Sequence, residues 1–416
     1  MPGDILHSPV DSNLLFPSLD PNSRFRERRQ KNRQQRRRRR TLATALLLAA
    51  GAVTAAGALY GLAPGRGSTP PAAAPAAAPE QRTRAVRLVR RKPAPPLRIP
   101  VPYEIRGVHV TMALASIPGK FGEYIALRGL NTLQLDIKDE NGEVAFVPAR
   151  MPIVRQIGAG RGYYKPKQIA ALAHRHGIYL VGRVVVFEDP ILSERRPGLA
   201  IRTADGSVWR NHAGLGWTNP YDRRVWDYNI GIGEAAARAG FDEIQFDYVR
   251  FPSDGDISAA VFPGRRREAS GWTIARFLQY ASKRLRPLGV RVSADVFGLS
   301  ATRDLGIGQV PRRIAQYVDA LYPMVYPSHY GPGEYDIDDP NASPGPIVAA
   351  SLRHFRRELR GRKARVTPWL QDFSLGRSYS LADVQQQIDA ARKVSKNGFL
   401  LWNAAGVYTE AALSAG

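Results

Sequence analysis

Three observations predict an α/β chain whose globular part is a closed (β/α)₈ TIM barrel. Apolar, strand-like runs alternate with amphipathic segments from Arg106 onward. Glycine follows several of those segments, at Gly129, Gly177, Gly240, Gly289 and Gly361, where a helix-to-strand turn favours it. Eight such units fit the roughly 310 residues available, against about 250 plus insertions for a typical barrel. The competing fold is a doubly wound open sheet. That fold carries a glycine-rich phosphate loop after an early strand, and this sequence has none.

The strand candidates, in order, are 106–111 (RGVHVT), 131–139 (NTLQLDIKD), 178–187 (IYLVGRVVVF) and 241–249 (FDEIQFDYV). Four more follow at 290–298 (VRVSADVFG), 318–326 (VDALYPMVY), 364–373 (ARVTPWLQDF) and 397–403 (NGFLLWN). Each is an apolar run of strand length, and the intervening segments repeat apolar residues at helical spacing. The fourth run organises the rest. Phe241, Ile244 and Phe246 are apolar, Asp247 closes the run, and Tyr248 and Arg250 crowd its exit before Phe251-Pro252 ends the strand.

Barrel chemistry gathers at the carboxyl ends of the strands. Residues expected there are His109, Asp136, Lys138, Asp247, Arg250, Asp295, Tyr326, Asp372 and Trp402. Carboxylates and aromatic rings dominate, which is the combination glycoside hydrolysis needs: two acids flanking a bond, with aromatic faces for apolar sugar surfaces. Asp247 and Asp295 end adjacent strands and are the expected catalytic pair. Arg250 is expected to hold Asp247 ionised, and the apolar neighbours Ala294, Val296 and Phe297 to keep Asp295 protonated. Arg250 is also expected to contact substrate. Asp136, Lys138, His109, Tyr326, Asp372 and Trp402 are expected to bind it. Each has a plainer alternative: an internal ion pair for Asp136 and Lys138, a hydrogen-bonded core histidine for His109, a helix cap for Asp372, and packing for the two rings.

Other chemistries find little support. Strand one offers a single His rather than a His-x-His pair, and no Gly-x-Ser-x-Gly elbow is present. DEIQFDYVR lacks the terminal Glu of a D-x-x-D-x-D-x-E signature. Neither a metal nor a cofactor is expected. Two long loops, 188–222 with Trp209, Trp217 and Tyr221, and 326–344, follow barrel strands and are expected either to line the cleft or to cover it structurally.

RGVHVT, NTLQLDIKDENGEV, FDEIQFDYVRFPSDG, SADVFG and VDALYPMVYPSHY together resemble a family of bacterial glycoside-hydrolase-like domains with an α-amylase-like barrel, long described only as a domain of unknown function. The resemblance covers roughly residues 104–406. It implies a retaining carbohydrate-active barrel with Asp247 as nucleophile. The broader α-amylase-like group has a strand-five Glu as acid and an Arg two residues before the nucleophile. Here those positions hold Asp295 and Gln245.

The residues before the barrel divide by composition. Residues 1–40 are polar, end in Arg36 to Arg40, and read as a disordered basic cytoplasmic tail. Residues 41–63 carry no charge over a span long enough to cross a bilayer at about 20 residues per crossing, and the arginines before them predict a cytoplasmic N-terminus. A transmembrane signal-anchor is expected, with cleavage and secretion as the alternative. Residues 64–103 are a Pro/Ala/Arg-rich linker, and 104–416 the barrel. More than half of the net charge of +24 precedes the barrel, so overall basicity does not argue for a nucleic-acid partner. With no cysteine, disulfides, thiolate metal sites and a thiol nucleophile are excluded. The expected partner is a polysaccharide outside the cell, with a non-catalytic carbohydrate-binding barrel as the alternative.

Overall fold

The structure, a computed structural model, describes residues 98–265 and 267–414. The expected tail, membrane segment and most of the linker lie outside these residues. No helix among the described residues is long and apolar enough to cross a membrane.

The eight expected strands all form, and all pair in parallel. They are β1 (Ile105–Val110), β2 (Thr132–Lys138), β3 (Tyr179–Val185), β4 (Glu243–Asp247), β5 (Arg291–Phe297) and β6 (Ala320–Val325). The seventh stave is split into β7 (Arg365–Val366) and β8 (Trp369–Gln371), and β9 (Gly398–Trp402) completes the set. The split falls at Pro368, which has no N–H to give the ladder but still accepts from the Leu400 amide at 2.9 Å. Each stave pairs with the next, β7 and β8 both pairing with β6, and β9 returns to β1, so the sheet closes. Parallel neighbours require crossovers, and these are helical, including Pro166–Arg175, Arg223–Ala239, Ser270–Leu285, Pro344–Glu358 and Leu381–Val394.

Burial follows from this two-layer plan. Strand residues pointing outward, such as Leu133, Leu135, Ile244 and Leu401, are fully buried under the helices. Glycine is required where β9 begins. Gly398 has φ +87°, and a Cβ there would lie 1.9 Å from the Ile105 carbonyl oxygen. Many inward-pointing residues are polar and stacked in levels, beside an apolar group that includes Tyr322, Trp369 and Leu400. Near the bottom, Glu243 accepts from Tyr179 Oη at 2.7 Å and from Ser293. Above it Gln134 bonds to both His109 and Gln245. A charged level caps the stack at the mouth.

Residues 98–103, expected to belong to the linker, pack on the barrel floor. The Arg98 guanidinium donates to the carbonyls of Phe241, Ala237 and Leu288, and the Ile99 amide donates to Asp242 at 2.9 Å.

Candidate active site

The carboxyl ends of the strands surround a recess of about 440 Å³ lined by Asp247, Asp295, Arg183, Arg250, Trp369 and Trp402, with Gln134, Tyr248, Phe297, Gln309, Met324 and Tyr326. Asp247 and Asp295 stand at one level of neighbouring strands, because the β4–β5 register runs Gln245 to Ser293 and Phe246 to Ala294. Both side chains reach the recess although each residue is nearly buried.

Their environments differ. Asp247 is held by a cation: Arg183 Nε donates to its Oδ2 at 2.8 Å, with Nη2 of the same guanidinium at 2.7 Å. Arg183 also donates to Asp136 at 2.8 Å and lies 3.4 Å from Glu140, so one buried guanidinium serves three carboxylates. Its own pKa is pushed well above the usual arginine range by Asp247, Asp136 and Glu140, which outweigh burial. Among the described residues no cation forms an ion pair with Asp295, and Arg183 acts on it only as a weaker influence than burial and Asp247. Burial first, and the nearby Asp247 second, raise its pKa well above the usual carboxylate range. Trp369 Nε1 donates to Asp295 Oδ1 at 2.7 Å and fixes the carboxyl in place.

Local backbone strain sits beside this pair. Tyr248, directly after Asp247, has φ +48°, an unusual conformation for a bulky residue, and its amide donates to Asp247 Oδ1 at 2.7 Å. The turn thus aims both an amide and a carboxylate at the mouth.

The remaining expected residues divide into those at the recess and those away from it. Trp402 and Tyr326 line the recess. His109 lies beneath it: its ring packs 4.3 Å from Trp402 and its Nδ1 pairs with Gln134 at 2.6 Å. Burial lowers its pKa and keeps the ring neutral. Asp136 positions Arg183 rather than lining the recess. Arg250 does line it, but the cation bonded to Asp247 is Arg183 where the sequence expectation names Arg250. The Arg250 guanidinium lies about 5 Å from the rings of Trp217, Tyr248 and Phe297 and donates to Phe251 O and Ser253.

Lys138 and Asp372 leave the site. Strict alternation along β2 would send Lys138 inward with Gln134 and Asp136, but the β2–β3 register shifts between Asp136 and Lys138. The ammonium is therefore buried behind the sheet, 2.9 Å from Asp189 and 5.9 Å from the Tyr228 ring. Asp372 accepts from the amide and hydroxyl of Thr409, each at 2.7 Å, and so ties the residue before the final helix, Glu410–Ser414, to the barrel. From the 188–222 loop, Trp217 backs Arg250 and Trp209 donates to Asp256 O, so these rings are wall rather than lining. Among the described residues no group of three acidic or histidine side chains is placed to hold a metal.

Sequence reasoning missed Arg183 as a site residue. Its signal is visible in YLVGRVV, where one charge interrupts a wholly buried strand, but a lone arginine does not reveal that two neighbouring strands supply its acids.

Beside the recess lies a second, of about 350 Å³, which shares Phe297, Met324 and Tyr326 and continues to Leu299, Leu305, His329 and Tyr330. The cleft is therefore longer than one sugar-sized opening.

A family model described as "Putative glycosyl hydrolase domain" matches residues 107–408. The chain belongs to this family. The glycosyl hydrolase domain is thus the barrel itself, and the protein is an enzyme of the O-glycosyl hydrolase class. Among solved structures, the chain is similar to a hypothetical protein from Ruminiclostridium thermocellum at 35% identity, covering 45% of this chain and 97% of that one, with a TM-score of 0.41. The PgaB (BpsB) glycoside hydrolase domain of Bordetella bronchiseptica shares 14% identity over 75% of this chain and 98% of that one, TM-score 0.51. An exo-β-N-acetylglucosaminidase of Vibrio harveyi shares 13% over 75% and 53%, TM-score 0.48. Among curated protein sequences none matches this chain.

Proposed function

We propose that the glycosyl hydrolase domain cleaves an internal or terminal glycosidic bond of a cell-envelope or extracellular polysaccharide, with Asp247 as nucleophile and Asp295 as general acid and base. One observation carries this reading: two carboxylates share one recess at matched register, one of them ion-paired to Arg183 and the other disposed to hold a proton. Asp247, ion-paired to the Arg183 guanidinium, attacks the anomeric carbon. Asp295, whose Oδ1 is taken by Trp369, carries its proton on Oδ2 and passes it to the departing oxygen. Water then enters, gives a proton back to Asp295, and releases the sugar from Asp247. Side chains at one level of adjacent strands start about 4.8 Å apart, which favours the short spacing of about 5–5.5 Å that accompanies retention. The rings of Trp402, Trp369 and Tyr326 offer apolar faces for the sugar.

Asp247→Asn tests the reading with a polysaccharide panel. Turnover should fall by at least about 10³-fold while carbohydrate binding persists, and the first-formed anomer seen by proton NMR for the unaltered enzyme should match the substrate's. A wild-type barrel that binds glycans without turnover would instead be a carbohydrate-binding module.

The uncharged segment at residues 41–63, preceded by five arginines, supports a placement of the domain outside the cell on a membrane anchor.

A further inference from the structure

A second concave site lies at the opposite end of the barrel. The amino ends of β5, β6 and β7 and the turns leading into them enclose a trough of about 1300 Å³. Arg286, Arg291, Arg362, Lys363 and Arg365 line it against a single lining carboxylate, Asp319. That carboxylate is already committed, since Asp319 Oδ2 accepts from the Val292 amide at 2.9 Å and Oδ1 from Arg286 at 3.1 Å. Arg291 lies 3.6 Å from Glu243, which faces the barrel interior, and Arg365 donates to backbone carbonyls of Pro102 and Tyr103. Arg362 and Lys363 have no side-chain partner among the described residues, and the buried Arg362 Nε is an unsatisfied donor. Asp319 and Glu243 answer only two of the five cations, Arg286 and Arg291, so the trough carries an excess of positive charge that an anion from outside would offset.

We propose that this trough binds one strand of a phosphate-bearing polyanion. Guanidinium forks match the geometry of phosphate oxygens two at a time, and the lysine adds a mobile point charge. Spacing along the turn at 361–365 presents successive cations, which suits a repeating anion rather than an isolated one. The shape also decides between ligands: charges sunk in a trough fit a narrow strand better than the flat face of a bilayer. Arg291 and Asp295 are on one strand, four residues or roughly 13 Å apart at 3.3 Å per residue, at opposite ends of the barrel. Polyanion binding would therefore leave the catalytic mouth open.

The test uses the full chain, whose basic tail is present in every sample. Affinity for long-chain polyphosphate is measured at near-physiological salt for the unaltered protein, for Arg362→Gln with Lys363→Gln, and for a charge-matched control, Arg36→Gln with Arg37→Gln. The trough variant should weaken binding about 10-fold or more, the size expected for losing charge-assisted contacts, and the control should change it less than about 2-fold. Equal losses in both variants would show delocalised attraction and overturn the proposal, as would no loss in the trough variant. Phosphatidylglycerol vesicles and the carboxylate polymer hyaluronate serve as comparisons. A trough variant that loses only vesicle binding, or an unaltered protein that binds hyaluronate as tightly as polyphosphate, also overturns it. Lys363→Glu alone alters an exposed side chain and repeats the measurement should the double variant unfold.

Discussion

Asp247 and Asp295 are the same residue type on neighbouring strands, yet their surroundings drive them apart. Arg183 forms an ion pair with Asp247, whereas Asp295, buried beside that acid, retains its proton. For Asp295 the folded-state pKa is raised, so its protonated form persists above the range where an unfolded aspartate, at about 3.9, ionises. The associated stability is fully present below the unfolded value and is lost as pH rises through the folded one. Catalytic competence follows the same direction, since the proton to be donated disappears on the alkaline side. The kcat/KM profile should therefore carry an alkaline limb set by Asp295. In Asp295→Asn that limb should vanish and kcat should drop by about 10²–10⁴-fold, the usual contribution of a positioned acid; a limb unchanged in the variant would remove Asp295 from this role.

At the scale of single elements, β2 shows how one irregularity redirects a functional assignment. Its period-two alternation correctly points Gln134 and Asp136 inward, and a register shift then turns Lys138 into the layer between sheet and helices. There the Lys138–Asp189 pair is wholly buried, and burial raises the Asp189 pKa despite its partner. Breaking such a pair leaves a buried charge alone. Lys138→Met should destabilise the barrel by about 3–5 kcal/mol, whereas Lys138→Met with Asp189→Leu should be far closer to the unaltered protein; chemical denaturation of the three forms distinguishes the outcomes. The Asp136–Arg183–Asp247 chain across β2, β3 and β4 teaches the same lesson from the other side. Each residue is visible in its own strand, but the bonds between them depend on which levels of three strands coincide. Asp139 extends this acidic end of β2. Burial, with Glu140 and Glu143 beside it, pushes its carboxyl up to about 8, although its side chain accepts from the Asn141 and Glu143 amides.

Across the whole molecule, the two ends of the barrel are chemically unlike. The carboxyl end holds acids and aromatic rings, and the amino end holds the Arg98 strap and the cationic trough. The chain enters the barrel at that amino end, through Arg98 and Ile99. With the domain outside the cell, protease treatment of intact cells should release a soluble fragment containing the barrel, while a tag placed before residue 36 stays protected. Release only after lysis would place the domain inside.

The order of strands and helices, the position of Asp247 and Asp295 at strand ends and the aromatic character of the mouth were all readable from the chain, because alternation and helical periodicity are local consequences of which faces must avoid water. What tertiary structure alone decided was pairing: Arg183 rather than Arg250 as the cation on Asp247, Lys138 turned outward, Asp372 tied to Thr409, and basic residues from around 286–291 and 362–365 collected into one trough. Those outcomes depend on register between strands and on distances across loops. Neither quantity is written in any single stretch of sequence, since side chains far apart along the chain meet only once the sheet has closed.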